Sequence, residues 1–412
     1  MNKINTLKYG EQLIDLSCFL CNPFSRFAVW ICFGMMSAIL LVSCSHTGIF
    51  VKAPTKVKLE RICLSKDNAR FVRVDSGSPF VIWGVNYDHD GAGRLLEDYW
   101  HEEWPTIVED FKEIKALGAN VVRIHLQTAK FITNEQKPDE EALKQLARLV
   151  DLAEESGLYL DITGLACYRK KDVPEWYTKM SEQERWEIQS IFWSAVAKTC
   201  AQSPAVFCYD LMNEPVMAGA KGETDWLAGE FAGSCFVQRI TLDLAGRTRE
   251  QVAKAWVDKL VTAIRQQDQH HLITVGVIPW AMVWPTAKPF FHSKEVGENL
   301  DFVSVHFYPE KDKVDKALAA LAVYDVGKPL VIEEMFPLAC SAKELEAFID
   351  GSRPIAEGWI SFYWGKTIEE YAEDRTIAGA ITKEWLEHFK AKAPVILGAC
   401  PEIPANRTDP QH

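Results

Sequence analysis

The residues of this 412-residue chain best suited to chemistry are glutamates that terminate apolar runs. Tyr209-Asp210-Leu211-Met212-Asn213-Glu214-Pro215 closes one run, and Pro329-Leu330-Val331-Ile332-Glu333-Glu334 closes another. Two strand-like segments ending in glutamate predict two carboxylates at one rim of a barrel, the arrangement that acid/base cleavage of a glycosidic bond requires. Taken alone, each run also fits a buried strand followed by a solvated surface Glu, the commoner arrangement. The surrounding elements decide between these readings.

Those elements alternate with regularity. Phe71-Val72-Arg73-Val74 and Phe80-Val81-Ile82-Trp83 flank Asp75-Ser76-Gly77-Ser78 and predict a hairpin. The second arm runs into Gly84-Val85-Asn86-Tyr87, expected as the first barrel strand. Strands two to four are expected at residues 120–125, 158–162 and 205–209, and strands five to eight at 271–275, 302–306, 330–332 and 359–363. Between them lie helical repeats opened by capping patterns such as Ser181-Glu182-Gln183-Glu184 and Thr248-Arg249-Glu250-Gln251. Near-continuous apolar strands separated by helices imply parallel strands buried on both faces. The expected fold is therefore α/β, a (β/α)8 TIM barrel with an N-terminal β-hairpin and a signal/tether segment. A doubly wound open sheet is the alternative. One connection, Val216 to Arg247, is long enough to suggest a lid or subsite wall rising beside the strand ends.

In such a barrel chemistry collects at the carboxyl ends of the strands. There the sequence places Asn86, Tyr87, Asp88 and His89 (strand one), Arg123 and His125 (two), Asn213 and Glu214 (four), His306 and Tyr308 (six), Glu333 and Glu334 (seven), and Trp364 (eight). This polar and aromatic set suits a sugar pocket. Successive strand residues face opposite sides, so only one member of Glu333-Glu334 is expected to enter the barrel mouth. Trp280 and Trp284 fit either a subsite platform or packing. Asp88, His89 and Asp90 lack partners at ligand spacing, so no metal and no cofactor is expected, and Asp88 or His89 is expected on sugar hydroxyls.

Composition narrows the partners. A net charge of -12 supplies no basic stripe for nucleic acid and no basic helix for a membrane surface. The N-terminus differs: Phe27 to Val42 is apolar, preceded by Arg26 and followed by Ser43-Cys44, as in an export signal. An uncleaved signal or plain membrane anchor is the alternative. The expected organisation is a lipoprotein-type signal peptide at 1–43, a tether at 44–66, the barrel at 67–392 and a tail at 393–412. Seven cysteines follow Cys44, with neither zinc-site spacing nor the density of a disulfide scaffold.

Three motifs carry a resemblance to a known family. Asn213-Glu214-Pro215, Val303-Ser304-Val305-His306-Phe307-Tyr308-Pro309 and Ile332-Glu333-Glu334 resemble the strand four, six and seven motifs of retaining clan A glycoside hydrolases. The likeness is to the cellulase-like glycoside hydrolase family 5 and covers roughly residues 70–390. It implies Glu214 as general acid/base and Glu334 as nucleophile, aligned on the residue before the family's aromatic-glycine pair, where this chain has Met335-Phe336. It implies that Asn213 binds the sugar 2-hydroxyl, that Arg123 and Tyr308 hold Glu334, and that His306 and Trp364 line the pocket; Asn86 and His125, as polar strand-end residues, are expected as further substrate contacts. The segment Leu41-Val42-Ser43-Cys44 resembles the bacterial lipoprotein box and implies lipidation at Cys44.

The chain departs from the family pattern at strand three, Asp161-Ile162-Thr163-Gly164, which lacks a histidine. It departs again at strand two, Arg123-Ile124-His125, where Arg-Ile-Pro is common. The expectation is a retaining β-glycoside hydrolase acting on β-linked glucan- or mannan-type poly- or oligosaccharide. It would be exported and membrane-tethered on the periplasmic or outer side of a bacterium. A non-catalytic carbohydrate-binding lipoprotein on the same barrel is the alternative. No glycine-rich phosphate loop follows strands seven and eight.

Overall fold

The computed structural model describes residues 58–398, except 220, 232 and 363. The expected signal segment, Cys44 and the last residues of the expected tail therefore lie outside the described residues. Strands β1 (Ile62–Leu64) and β2 (Phe71–Arg73) form an antiparallel pair, and β3 (Ile82–Asn86), β4 (Val121–Gln127), β5 (Tyr159–Ala166) and β6 (Val206–Asp210) follow. Three short strands, β7 (Pro215–Val216), β8 (Leu227–Ala228) and β9 (Val237–Arg239), occupy the long connection. The chain continues through β10 (Leu272–Thr274), β11 (Gly276–Val277), β12 (Val303–His306), β13 (Leu330–Met335) and β14 (Gly358–Ser361).

The principal sheet runs β10-β6-β5-β4-β3-β14-β13-β12-β11 and every pairing in it is parallel. Only Val275 separates β10 from β11, so its two ends are halves of one fifth strand and the sheet closes on itself. That closure is the (β/α)8 barrel, not the open doubly wound sheet. β3, β4, β5, β6 and β13 are buried at every position, as expected for strands covered on both faces. The expected capping boxes at Ser181/Glu184 and Thr248/Gln251 open helices Glu182–Cys200 and Arg249–Arg265. The final helix, Ile377–Gly398, packs Trp385 and Phe389 against the barrel and stacks Phe389 on Trp83 at 4.4 Å.

The expected hairpin is present but short: Val72 bridges Pro79, with Arg73 N–H donating to Ser78 O and Phe80 N–H to Phe71 O at 2.9 Å each, and a further segment, Ile62–Leu64, pairs along the other edge of Phe71–Arg73. Beyond Phe80 the second arm runs into the barrel as expected, where Ile82 pairs with Gly358, because a fully apolar segment buries more of its water-exposed area there than in a surface hairpin. The last helix also continues past 392 to Gly398, with Ala393 and Ile396 buried, since its apolar face still meets the barrel. The hairpin closes the amino-terminal mouth. Phe71 packs edge-on against Phe207 and Phe302 at 5.2 Å each, and Phe80 against Tyr159 at 4.8 Å. Each buried aromatic or aliphatic side chain of this plug stabilises the fold by about 1.5–3 kcal/mol. The polar groups of the barrel interior are left at the opposite end.

Candidate active site

Arg123 is the centre from which the site is built. It projects from the middle of β4 and is fully buried. Its Nη1 donates to Glu334 Oε1 (2.6 Å) and Asn86 Oδ1 (3.0 Å), and its Nη2 donates to Asp210 Oδ2 and Asn213 Oδ1 (2.9 Å each). A planar fork fixed by four acceptors from three strand ends cannot rotate, so it sets the positions of the groups around it. Tyr308 donates to the other oxygen of Glu334 at 2.7 Å. His306 Nδ1 lies 2.9 Å from Glu214 Oε1 and 3.5 Å from Glu334 Oε2, and Nε2 lies 3.4 Å from Glu333 Oε2.

Burial opposes charge on His306, yet Glu334, Glu214 and Glu333 together push its pKa up to about 10. The ring is therefore an imidazolium at neutral pH, donating from Nδ1 to Glu214 and from Nε2 to Glu333. One oxygen each of Glu214 and Glu334, with a nitrogen of His306, lie within 4.8 Å of one another. Among the described residues these three also make the one cluster with ligand spacing, but an imidazolium has no lone pair for a metal ion.

Glu214 reaches this position through backbone geometry that periodicity does not reveal. It has φ +48°, in the left-handed region, and its N–H donates to Gly276 O at 2.9 Å. A non-glycine residue held there stores roughly 1–3 kcal/mol of strain, which surrounding contacts must offset. Asn213, immediately before it, accepts from Arg123 and donates from Nδ2 to Phe236 O at 3.0 Å, leaving one amide hydrogen free of these bonds.

The Glu333–Glu334 pair corrects the sequence argument that only one can face inward. Val305 pairs with Ile332 and His306 with Glu334, while Trp359 pairs with Ile332 and Ser361 with Met335. β13 therefore carries an extra residue relative to both neighbours. This β-bulge breaks the alternation and turns both glutamates inward. Glu334 remains at the rim with its side chain 9% exposed, and Glu333 is fully buried below it. Burial alone would raise the Glu333 carboxyl, but Arg123 and His306 hold it down to about 2.

The other expected contacts divide. Asn86 and His125 are corrected from substrate contacts to wall residues. Asn86 donates to the Glu333 and Ser361 carbonyls and accepts from Arg123 and His125 Nε2, while His125 Nδ1 meets the Tyr168 hydroxyl. Both side chains are buried with these polar atoms committed to protein, and burial holds the His125 pKa well below its usual value. Trp364 stands beside Asn86 at the end of β14, and its indole N–H has no acceptor among the described residues. Asp88 pairs with His89 at 2.7 Å; burial opposes its charge, but the neighbouring His89 brings Asp88 down to about 2. Trp280 and Trp284 are exposed and stacked at 5.3 Å, so packing does not account for them.

The long connection lies against the rim. β8 and β9 pair antiparallel and β7 and β9 parallel; Gln238 donates to Leu165 O, and Phe236 packs on Tyr168 at 4.8 Å. Arg185 lies between Tyr177 and Trp226, 3.7 Å and 4.3 Å from the ring centres, and anchors the outer part. Sequence reading missed Asp210, Asp161 and Gly276. Asp210 accepts from Arg123, Thr163 and the Gly276 N–H. A charged residue inside an otherwise apolar strand was the available signal for both aspartates.

A closed α/β barrel whose fourth and seventh strands present facing carboxylates is the architecture of the barrel-type glycoside hydrolases. Within that class the chain belongs to glycosyl hydrolase family 5: the family's Cellulase model matches residues 75–347. It is 25% identical over 218 residues to mannan endo-1,4-beta-mannosidase A of Podospora anserina, covering 47% of this chain and 50% of that protein. It is 27% identical over 120 residues to mannan endo-1,4-beta-mannosidase 5 of Arabidopsis thaliana, covering 26% and 22%. The chain thus spans half the length of the first relative and less of the second.

In fold it is similar to the exo-beta-1,4-mannosidase Op5Man5 of Opitutaceae bacterium strain TAV5, with TM-score 0.59, 16% identity and 82% of this chain against 62% of that one. It is also similar to the beta-1,4-mannanase of the sea hare Aplysia kurodai, with TM-score 0.55, 16% identity, and 83% and 99% covered.

Proposed function

We propose that the protein is a retaining β-glycoside hydrolase acting on β-linked oligo- or polysaccharide of the mannan or glucan type. The observation that carries this reading is the close approach of Glu214 and Glu334, whose oxygens around His306 lie within 4.8 Å of one another. Retaining enzymes place their carboxyl groups about 5–5.5 Å apart, whereas inverting enzymes leave about 6.5–9.5 Å for a water. Glu334, restrained at one oxygen by Arg123 and at the other by Tyr308, is oriented to attack the anomeric carbon. Glu214 protonates the departing oxygen and then, as the base, activates the water that releases the sugar.

The imidazolium of His306 bonds Glu214 and approaches Glu334, fixing the gap between them. The free amide hydrogen of Asn213 suits a sugar hydroxyl. The Trp280–Trp284 stack offers a flat apolar face of the kind on which pyranose rings settle. Both curated relatives are mannan-cleaving, which favours manno-configured substrate. The N-terminal segment supports export and tethering at Cys44, the placement such a substrate would require.

The test is incubation of the full-length protein with activated 2-fluoro-manno- and 2-fluoro-glucosides, followed by peptide mass mapping. The reading expects a covalent sugar on Glu334. Absence of any adduct, together with retained binding to mannan, would favour the carbohydrate-binding alternative. Product of inverted configuration would refute double displacement.

A further inference from the structure

Beneath the reacting carboxylates lies a second acid pair. Asp161 on β5 and Glu333 on β13 belong to the third and seventh of eight barrel strands, so they face each other across the barrel axis. Both are fully buried. No N–H or O–H group among the described residues donates to Asp161 Oδ1 or Oδ2 or to Glu333 Oε1, and the neighbouring S–H donor at Asp161 is the weak one of the Cys208 thiol. The two carboxyls lie within direct interaction range of each other, so a proton on either one can bond the other.

Two ionised carboxylates in contact there would repel by about 4 kcal/mol even at an effective dielectric constant of 20. Each oxygen without a donor adds roughly 1–3 kcal/mol of uncompensated desolvation. A single proton removes the repulsion and engages one oxygen of each carboxyl, because the acid O–H is a donor and the opposing carboxylate its acceptor. We propose that Asp161 and Glu333 hold one proton between them and act as a positioning pair beneath the reacting site.

The proton resides on Asp161: burial and the facing Glu333 raise that carboxyl well above its usual range, while Arg123 and His306 keep Glu333 charged. Pinned from below by Asp161, Glu333 presents Oε2 at 3.5 Å to Arg123 Nη2 and at 3.4 Å to His306 Nε2. Those two cations in turn hold Glu334 and Glu214. Other titratable or charged groups around the pair are Cys208 and Asp210 from β6, with His125 and His292 within electrostatic reach of Glu333.

Two features of the chain make room for the pair. The bulge in β13 turns Glu333 inward, and Gly276 leaves the space above it open. A Cβ at Gly276 would sit 2.7 Å from His306 Nε2 and would overlap Glu333 Oε2. The inference rests on the reading of Glu214 and Glu334 as the reacting pair only for its catalytic consequence; the shared proton stands apart from turnover.

Infrared difference spectroscopy on the full-length protein carrying carboxyl-labelled [13C]aspartate tests it. The expected result is a protonated-carboxyl band in alkaline buffer that shifts on aspartate labelling and vanishes in Asp161→Asn. Because the asparagine amide also donates to Glu333, Asp161→Asn should keep the alkaline limb of the pH–rate profile in its wild-type position. Glu333→Gln, which removes the carboxylate facing His306, should move that limb to lower pH. Absence of a label-sensitive band in the wild-type protein overturns the proposal without any variant having to fold. So does an Asp161→Asn limb displaced as far as that of Glu333→Gln. The band is independent of activity, so a protein that shows it but forms no adduct on Glu334 refutes the glycosidase reading and leaves the shared proton standing.

Discussion

The charge on His306 should be visible as a pH dependence of stability. Its pKa is about 10 in the folded chain and close to 6.5 when unfolded, a raised folded value. A raised value contributes stability that is complete below the unfolded pKa and is lost as pH climbs through the folded one. Between roughly pH 6.5 and 10 the folded chain binds one proton more than the unfolded chain, so stability falls by about 1.4 kcal/mol per pH unit from this group. Across the window the loss sums to about 5 kcal/mol, an upper bound, because the glutamates can share the charge in other ways.

Equilibrium urea unfolding at a series of pH values, for the wild type and His306→Gln, isolates the effect, since other titrations are common to both. The two stability curves should converge as pH rises from neutral towards 10, the wild type losing the greater part. Parallel curves across that range would show that His306 is neutral in the folded protein. The assignment of an imidazolium between the glutamates would then fall.

Glu214→Gln should lower turnover of unactivated oligosaccharide by about 10²–10⁴-fold. With a good aryl leaving group the first step survives, and a glycosyl-enzyme should accumulate and be seen as an initial burst. Tyr308→Phe removes a charge-assisted bond of 2.7 Å to Glu334, worth about 1.5–3 kcal/mol, so kcat/KM should drop roughly ten- to a hundredfold. Gly276→Ala forces a methyl against His306 and Glu333 and should cost about 1–3 kcal/mol, read as a Tm lowered by several degrees. Trp284→Ala should raise KM for a polymeric substrate several-fold while leaving short aryl glycosides nearly unaffected; an equal change for both would remove the platform role.

What the sequence made legible follows from what each signal measures. Period and apolar run length report burial on both faces, so all eight barrel strands and the capped helices were readable without the structure. Motifs report residue type at strand ends, so Arg123, Glu214, His306, Tyr308 and Glu334 were readable too, and the structure brings them together. Register is a pairing property, and nothing in Leu330-Val331-Ile332-Glu333-Glu334 states that β13 carries an extra residue. The strict alternation rule therefore failed at the one place where both glutamates turn inward. Asn86 and His125 were placed correctly on their strands, but their roles depend on how many of their polar atoms the protein itself occupies. Nothing in the run of Phe71–Arg73 states that Ile62–Leu64 pairs along its other edge, for the same reason as at β13.

The bulge also explains why adjacent glutamates hold different roles without competing. An inward carboxylate can attack a sugar only if a ring can reach it, and Glu333 is fully buried beneath Arg123 and His306. Glu334 is the one exposed towards the rim, one residue further along the strand and held at both oxygens by donors from β4 and from the end of β12. Had β13 kept regular alternation, inward rotation of Glu334 would have sent Glu333 outward into the apolar layer beneath the helices, where an unpaired carboxylate is heavily penalised. A Glu-Glu sequence at this strand end is therefore tolerable only with the bulge, with Gly276 leaving space above Glu333, and with Asp161 supplying a donor from below. Each of these departs from a plain barrel strand, and each becomes intelligible once both carboxylates face the axis.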